Sequence, residues 1–452
     1  MTRKMKSSLI FLVILTLVVL PLAGCGGNAD TKTSTDENEV VDVAKGILPQ
    51  KYKGTSINIL AINPAIGKMA PEFEKATGIK VNIISLGYSE IHDKLSLDFA
   101  AKKGDIDGFS YPYQWYGEFV RAQDAVLPLD ELAKKPGFPD LVLDDYVPAA
   151  LDNYGKYDGK LIGLPIVADV EILVYNKKMF EEAGIKEPPK TWDEVVQVGK
   201  KLTKDTDGDG RIDQYGFGLM GGRGPQAAGT FTNLYYAHGG TVGYFDEKMK
   251  PQLDSLAGEK ALTLMAKDLK AIAPPDSNTW DSAEMENAFS QGKVAMGLIW
   301  PGGASSAVDP SKSKVVDDVG FACSPNNSSL LGGWAMGISK YSKNPEATYL
   351  FISWLTHPET QIKYAKAGGT PARESTLHNE ELVKIYPWFP AVAENLALAK
   401  PFSKLPESEE LIRYMLEEAN DAVTGIKTPE KAAKDLNNRA EKLMKDHGYY
   451  KK

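Results

Sequence analysis

The densest chemistry in the sequence lies in Asp205-Thr206-Asp207-Gly208-Asp209-Gly210-Arg211-Ile212-Asp213. Calcium takes oxygen ligands, and a calcium loop spaces them at positions one, three, five, seven and nine around a glycine turn at six. Asp205, Asp207, Asp209 and Asp213 put carboxylates at one, three, five and nine, with the Arg211 carbonyl at seven and Gly210 at six. Position twelve is Gly216 instead of a bidentate glutamate, so a further ligand must come from elsewhere or from water. Four carboxylates this close repel one another without a cation. The segment therefore predicts a structural calcium ion; the bland alternative is an acidic turn in solvent.

Catalytic chemistry has no comparable signature. Glycoside hydrolysis needs two carboxylates facing each other across a bond, and no segment sets such a pair on strand ends. His92, His238, His357, His378 and His447 are dispersed without metal-ligand spacing, and no G-x-S-x-G turn occurs. A secreted carbohydrate-active enzyme thus stands behind a binding protein. Trp300 is better placed for binding. It closes the apolar run Val294 to Ile299 and precedes Pro301-Gly302-Gly303, a strand end before a glycine loop, where a site can open. A formal net charge of -8 argues against nucleic acid as a partner.

These residues need a frame. Ile57 to Ile62 reads as a strand, Ile66, Met69, Phe73 and Ala76 as one face of a helix stopped by Gly78, and Ile79 to Ile84 as a second strand. Strand, helix, strand is the unit of a mostly parallel sheet covered by helices. Ligands of such sheets sit at the carboxyl ends of strands, which places Asn63 and the Tyr88-Ser89-Glu90 turn near any site. Leu161 to Pro165 and Glu171 to Tyr175 are strand-like again. Thr191-Trp192-Asp193-Glu194 is a capping box, and Asn344-Pro345 and Thr428-Pro429 each open a helix. The last helix should bury Ala432, Leu436, Ala440 and Leu443. The chain is α/β, long enough for two lobes.

The N-terminus fixes an expected compartment. Arg3, Lys4 and Lys6 precede the apolar run Leu9 to Leu22, too short and too early for a spanning helix. Leu22-Ala23-Gly24-Cys25 matches the bacterial lipobox, whose cysteine is acylated; the alternative is a plain secretory signal ending near a cysteine. Gly26 to Gly46 is polar, with few large apolar residues, and is expected to be a flexible tether. The expected location is the extracytoplasmic face of the cell membrane. Cys323, the only other cysteine, then has no partner and is expected to be a small core residue.

The segment Tyr157-Asp158-Gly159-Lys160-Leu161-Ile162-Gly163-Leu164-Pro165 leads to Ile172-Leu173-Val174-Tyr175-Asn176 and on to Pro188-Pro189-Lys190-Thr191-Trp192. It resembles the signature of the extracellular solute-binding family that includes maltose-binding proteins and oligosaccharide-binding lipoproteins. Ile172 stands where a small residue is commoner. Trp115-Tyr116-Gly117-Glu118-Phe119, Gly292-Lys293-Val294-Ala295-Met296 with Trp300, Gly332-Gly333-Trp334 and Pro371-Ala372-Arg373-Glu374-Ser375 extend the resemblance in the family's order. It implies a two-lobed periplasmic-binding-protein-like fold, each lobe a mostly parallel sheet flanked by helices. Residues 51–166 with 335–374 would form the N-terminal lobe and 167–334 with 375–452 the C-terminal lobe, after a signal peptide (1–24) and tether (25–50). Hinges are implied near Val167 to Val174, near Trp334 to Ile338 and after Arg373. A solute would close the lobes, and the permease of an ABC importer would take it from a monomeric carrier.

A sugar offers apolar C–H faces rimmed by hydroxyls, which suits aromatic platforms with charged hydrogen-bonding partners. Where the resemblance sets the cleft, the chain has Tyr111, Tyr113, Trp115, Trp300 and Trp334, each with core packing as its alternative. Asp169 lies in the hinge segment within an apolar stretch, where an unpartnered carboxylate is costly; it meets a ligand hydroxyl or an arginine, or is a solvated loop charge. Arg373 either aims into the cleft or bonds backbone carbonyls. With Asn63 and Glu90, these are the expected residues for a carbohydrate, by resemblance an oligosaccharide. The same fold would also suit a peptide, a polyamine or a metal chelate.

Overall fold

The computed structural model describes residues 50–450. The expected signal peptide, the expected acylation site at Cys25 and nearly all of the expected tether lie outside the described residues. All of the described residues belong to one compact unit, Val40–Lys452.

β1 (Ser56–Ala61) pairs parallel with β2 (Lys80–Ser85) and with β3 (Gly108–Pro112). The crossover from β1 to β2 is the helix Pro64–Thr77, which starts on the side chain of Asn63 and ends at Gly78. Its buried face carries Ile66, Met69 and Phe73 as the periodicity predicts, with Thr77 buried in place of Ala76. After a small hairpin of β4 (Lys156–Tyr157) and β5 (Lys160–Leu161), β6 (Leu164–Val170) joins the same sheet. β7 (Ile172–Asn176), β8 (Met296–Ile299) and β9 (Val319–Ala322) form a second sheet in the order β8-β7-β9. β10 (Leu330–Ile338), buried along its whole length, returns to the first sheet between β3 and β6, and β11 (Lys400–Pro401) adds to its edge.

The two-lobed α/β fold is therefore present, one lobe per sheet. Its parallel strands are those joined by a helical crossover. β6 and β10, which carry the chain between lobes, run antiparallel to each other, and β7 is antiparallel to both of its neighbours. The second lobe's parallel character is confined to bridges at Tyr215–Val294 and Gly218–Gly297.

The chain passes between the sheets at Glu171, the single residue between β6 and β7, and again at 323–329 between β9 and β10. The third passage lies between β11 and the helix Ser408–Thr424, which packs on the second lobe's helix Pro225–Ala237. The second and third crossings differ from the positions implied by resemblance. Gly332 to Trp334 already stand in the first lobe's sheet, because β10 must start at the crossing to run alongside β6. The helices Glu374–Leu377, Glu380–Ile385 and Phe389–Leu396 stay with the first lobe's helix Pro358–Lys366 and with one another.

The final helix, Pro429–Asp446, begins on Thr428 and buries Ala432, Leu436, Ala440 and Leu443 as expected. Among the described residues no helix is long and apolar enough to cross a membrane. Cys323 is half-buried and free, its thiol pushed up to about 12 by burial and by Glu394.

Candidate functional site

The crossings are tied together by buried polar groups. Glu171 is fully buried and accepts a hydrogen bond from the Asn233 side chain on Pro225–Ala237. Asn233 Oδ1 accepts the Leu330 backbone N–H at 2.6 Å, where β10 begins. The Glu171 carbonyl accepts from Ser329 Oγ at 3.0 Å and from Asn395 Nδ2 at 3.2 Å. One side chain thus links β6, β7 and β10, and a second, Asn395, links them to the loop at Ser324. Buried polar groups persist only when partnered. Glu171 is incompletely so: Oε1 has no partner, and burial pushes its carboxyl up to about 7.

Trp300 stands beside this tie. It follows β8, precedes the helix Pro301–Ala307, and donates its indole N–H to Gln226 Oε1 at 2.8 Å. The backbone N–H of Gln226 donates to Asp281 at 3.2 Å. The far edge of the indole lies over β10 at Gly332. A Cβ there would stand 2.6 Å from the ring and 3.3 Å from the Cβ of Asp169, so only glycine leaves room. Gly333, with φ 128°, makes the same allowance for Tyr154. Asp169 is the register partner of Gly332 and so flanks the indole. The residue as a whole keeps some exposure, yet its Oδ1 is enclosed without a partner and burial pushes the carboxyl up to about 7.

Two more acids complete this wall. Asp281 precedes the helix Ser282–Ser290, and its carboxyl is raised by burial. Glu286, on that helix, packs against Gly303, and burial pushes it up to about 7. Among the described residues, no lysine, arginine or histidine forms an ion pair with Asp169, Glu171, Asp281 or Glu286, and burial is the chief cause of each shift.

A separate aromatic cluster belongs to the first lobe. Tyr88, Trp115 and Trp334 pack edge to face, with centroids 4.8 Å apart for Tyr88–Trp115, 5.6 Å for Trp115–Trp334 and 5.7 Å for Tyr88–Trp334. Trp115 donates to Glu409 Oε1 at 2.8 Å, and the Tyr88 hydroxyl donates to the same carboxylate. Glu409 opens the second lobe's helix Ser408–Thr424, so the lobes touch directly there. Trp115 is fully enclosed; Trp334 keeps 9% exposure.

Trp300 and Asp169 thus come together, while Trp334 and Trp115 meet in the aromatic cluster. The remaining expected residues serve the fold. Tyr111 and Tyr113 are wholly buried and donate to the Ile162 carbonyl at 2.8 Å and the Leu331 carbonyl at 2.6 Å. Arg373 does not reach the cleft. It is 1% exposed, donates to the carbonyls of Thr356, Val142 and Leu141 at 2.5, 2.7 and 2.9 Å, and stacks on Tyr146. Asn63 and Glu90 each cap a helix, accepting the N–H of Ala65 at 2.8 Å and of Gly87 at 3.0 Å. Sequence reasoning missed Gln226, Asp281, Glu286 and Glu409. It also passed over Glu171, although a carboxylate among Val170, Ile172 and Leu173 carries the same signal as Asp169.

The acidic loop is closed by a bridge between Lys204 and Gln214. Asp205, Asp207 and Asp209 bring oxygens within 4.8 Å of one another. Asp205 accepts the N–H groups of Gly208 at 2.6 Å and Gly210 at 2.7 Å, which hold its carboxyl below the usual range. Asp213 is turned instead to Thr206, accepting from its N–H at 3.0 Å and its hydroxyl at 2.6 Å. Arg211 contributes its N–H to Asp209 at 2.8 Å. Three hard oxygen donors converge, fewer than the spacing alone implies; the donor set still suits calcium.

Residues 60–362 match the family model described as bacterial extracellular solute-binding protein. A probable amino-acid ABC transporter periplasmic-binding protein of Sinorhizobium fredii is 36% identical over 90% of this chain and 94% of its own length. A mannitol-binding protein of Pseudomonas aeruginosa is 26% identical over 74% of this chain and 76% of its own. Among solved structures, an ABC transporter solute-binding protein from Agrobacterium radiobacter in complex with ribitol superposes with a TM-score of 0.77. It shares 28% identity and covers 86% of this chain and 99% of its own.

Proposed function

Since the chain belongs to the bacterial extracellular solute-binding proteins, we propose that it captures a hydroxylated solute, a sugar or sugar alcohol, by closing its lobes and hands it to an ABC import permease. The observation that carries this reading is Trp300, held by Gln226 and set beside Asp169 over Gly332. An indole face suits the C–H face of a polyol, and flanking carboxylates accept its hydroxyls. The mannitol- and ribitol-binding relatives support it. A short solute is favoured over a long oligosaccharide, because Trp115 and Tyr88 already spend their polar groups on Glu409. We also read the protein as a monomeric, non-catalytic carrier, anchored through acylated Cys25 at the extracytoplasmic face; the lipobox supports this.

The experiment is a thermal-shift screen of the compact body, Val40–Lys452, against sugars, oligosaccharides, polyols, amino acids and polyamines. A solute that binds only the folded state stabilises it by RT ln(1 + [L]/Kd), about 2.7 kcal/mol at a hundredfold excess over Kd, and so raises the melting temperature. A rise with one sugar or polyol class is expected, and Trp300→Ala should weaken that solute by roughly tenfold or more. A rise only with unhydroxylated compounds would remove the carbohydrate from this reading.

The loop 205–213 is proposed to hold a structural calcium ion through Asp205, Asp207 and Asp209, with Asp213 or water completing it. The ion would neutralise the loop's charge and supply no chemistry. Added calcium should raise the melting temperature and Asp207→Asn should abolish that rise; an unchanged melting curve with calcium and with chelator would dismiss the ion.

A further inference from the structure

Asp169, Glu171 and Asp281 lie around Trp300, with Glu286 against the helix that follows it, and among the described residues none of the four carboxyls is in an ion pair. They come from three places in the fold: β6, the crossing residue, and the start and middle of Ser282–Ser290. Glu171 is the telling member. It is fully buried, its Oε1 has no partner, and both Asp169 and Asp281 act on its charge. Asp169 likewise encloses an unpartnered Oδ1 beside the indole. The other titratable groups near Asp169 are the hydroxyls of Tyr154 and Tyr364, which bring no positive charge.

A neutral polyol meets hydroxyl partners here but does nothing to stabilise the carboxylates that form as these groups ionise near pH 7. A solute bearing an ammonium group compensates them, and gains the face of Trp300 as well. We infer that the solute carries a protonated amine beside its hydroxyls, as an amino sugar or amino polyol does. This inference rests on the hydroxylated-solute reading above and sharpens it. The site selects by charge, with Asp169 beside the indole as the group that meets the ammonium.

The consequence with pH has a definite sign. Ionised carboxylates attract the amine and protonated ones do not, so affinity for the amine rises as pH increases from 5.5 to 7.5. The affinity of a matched neutral solute changes less over that range.

Calorimetric titration of the Val40–Lys452 body with matched pairs tests this. Each pair sets a hexitol against its 1-amino-1-deoxy counterpart, or a hexose against its 6-amino-6-deoxy counterpart, with butane-1,4-diamine as the amine lacking hydroxyls. The expected result is an amine member bound at least about tenfold tighter than its neutral partner at pH 7.5, with the ratio shrinking at pH 5.5. Asp169→Asn and Glu286→Gln should each reduce that ratio. Neutral members bound as tightly as their amines, or more tightly, would overturn the charged-amine inference and leave the polyol reading standing. The diamine binding while every hydroxylated member fails would overturn the polyol reading itself.

Discussion

At the scale of single residues, burial separates groups that serve the fold from groups that wait for a solute. Arg373 donates to three backbone carbonyls, pairs with Asp145 at 3.5 Å and stacks on the Tyr146 ring. Arg373→Met should cost about 3–5 kcal/mol, since it leaves buried carbonyls unpaired. The molecules that still fold should bind solute as before; a loss of affinity without a loss of stability would return Arg373 to the site. From sequence both fates were open, because a Gly-Gly-Thr-Pro turn does not say where the next side chain points. Asp169, Glu171 and Glu286 behave oppositely. Each rises on folding from the ordinary carboxyl range to about 7. Between pH 4 and 7 the folded protein therefore holds more protons than the unfolded chain, and these groups lower stability as pH rises through that window. Solute-free protein carrying Asp169→Asn should lose less melting temperature from pH 5 to pH 8 than the unaltered body; an identical slope would contradict the burial of Asp169.

At the scale of elements, hydrophobic period and capping were legible and the crossings were not. β1, the helix Pro64–Thr77 and the final helix lie where alternation, Gly78 and Thr428-Pro429 put them. The start of β10 is hidden because Leu330 to Ile338 is buried throughout, and an unbroken apolar run carries no mark of which lobe it serves. What fixes it is tertiary: Asn233 holding the Leu330 N–H, and the two glycines that let the strand pass between Trp300 and Tyr154. Asn233→Ala would leave both Glu171 and Leu330 short of a partner and should destabilise by about 2–4 kcal/mol. Denaturant melts of variant and parent check this, and a change within about 0.5 kcal/mol would show that the tie is dispensable. Gly332→Ala should act differently. Its methyl displaces the indole, so solute affinity should fall by roughly tenfold or more, a larger effect than on stability.

At the scale of the whole molecule, two lobes joined at three crossings can open and close only about the region where Glu171, Ser324 to Leu330 and the residues after β11 lie. The lobes meet at a second place, where Tyr88 and Trp115 hold Glu409. That contact latches the lobes in the arrangement described, the one that a solute at Trp300 would favour. The two-lobed frame could be anticipated from ordered segments along the chain, and Trp300 from its position after a strand. The latch could not, because Glu409 is one acid among several in a charged helix start. Small-angle scattering of the Val40–Lys452 body with and without the solute found by the melting screen is the most direct test of the central claim. A radius of gyration that falls on saturation, and falls less for Trp300→Ala at the same solute concentration, is the predicted result. Saturable binding with an unchanged radius in both proteins would contradict capture by lobe closure.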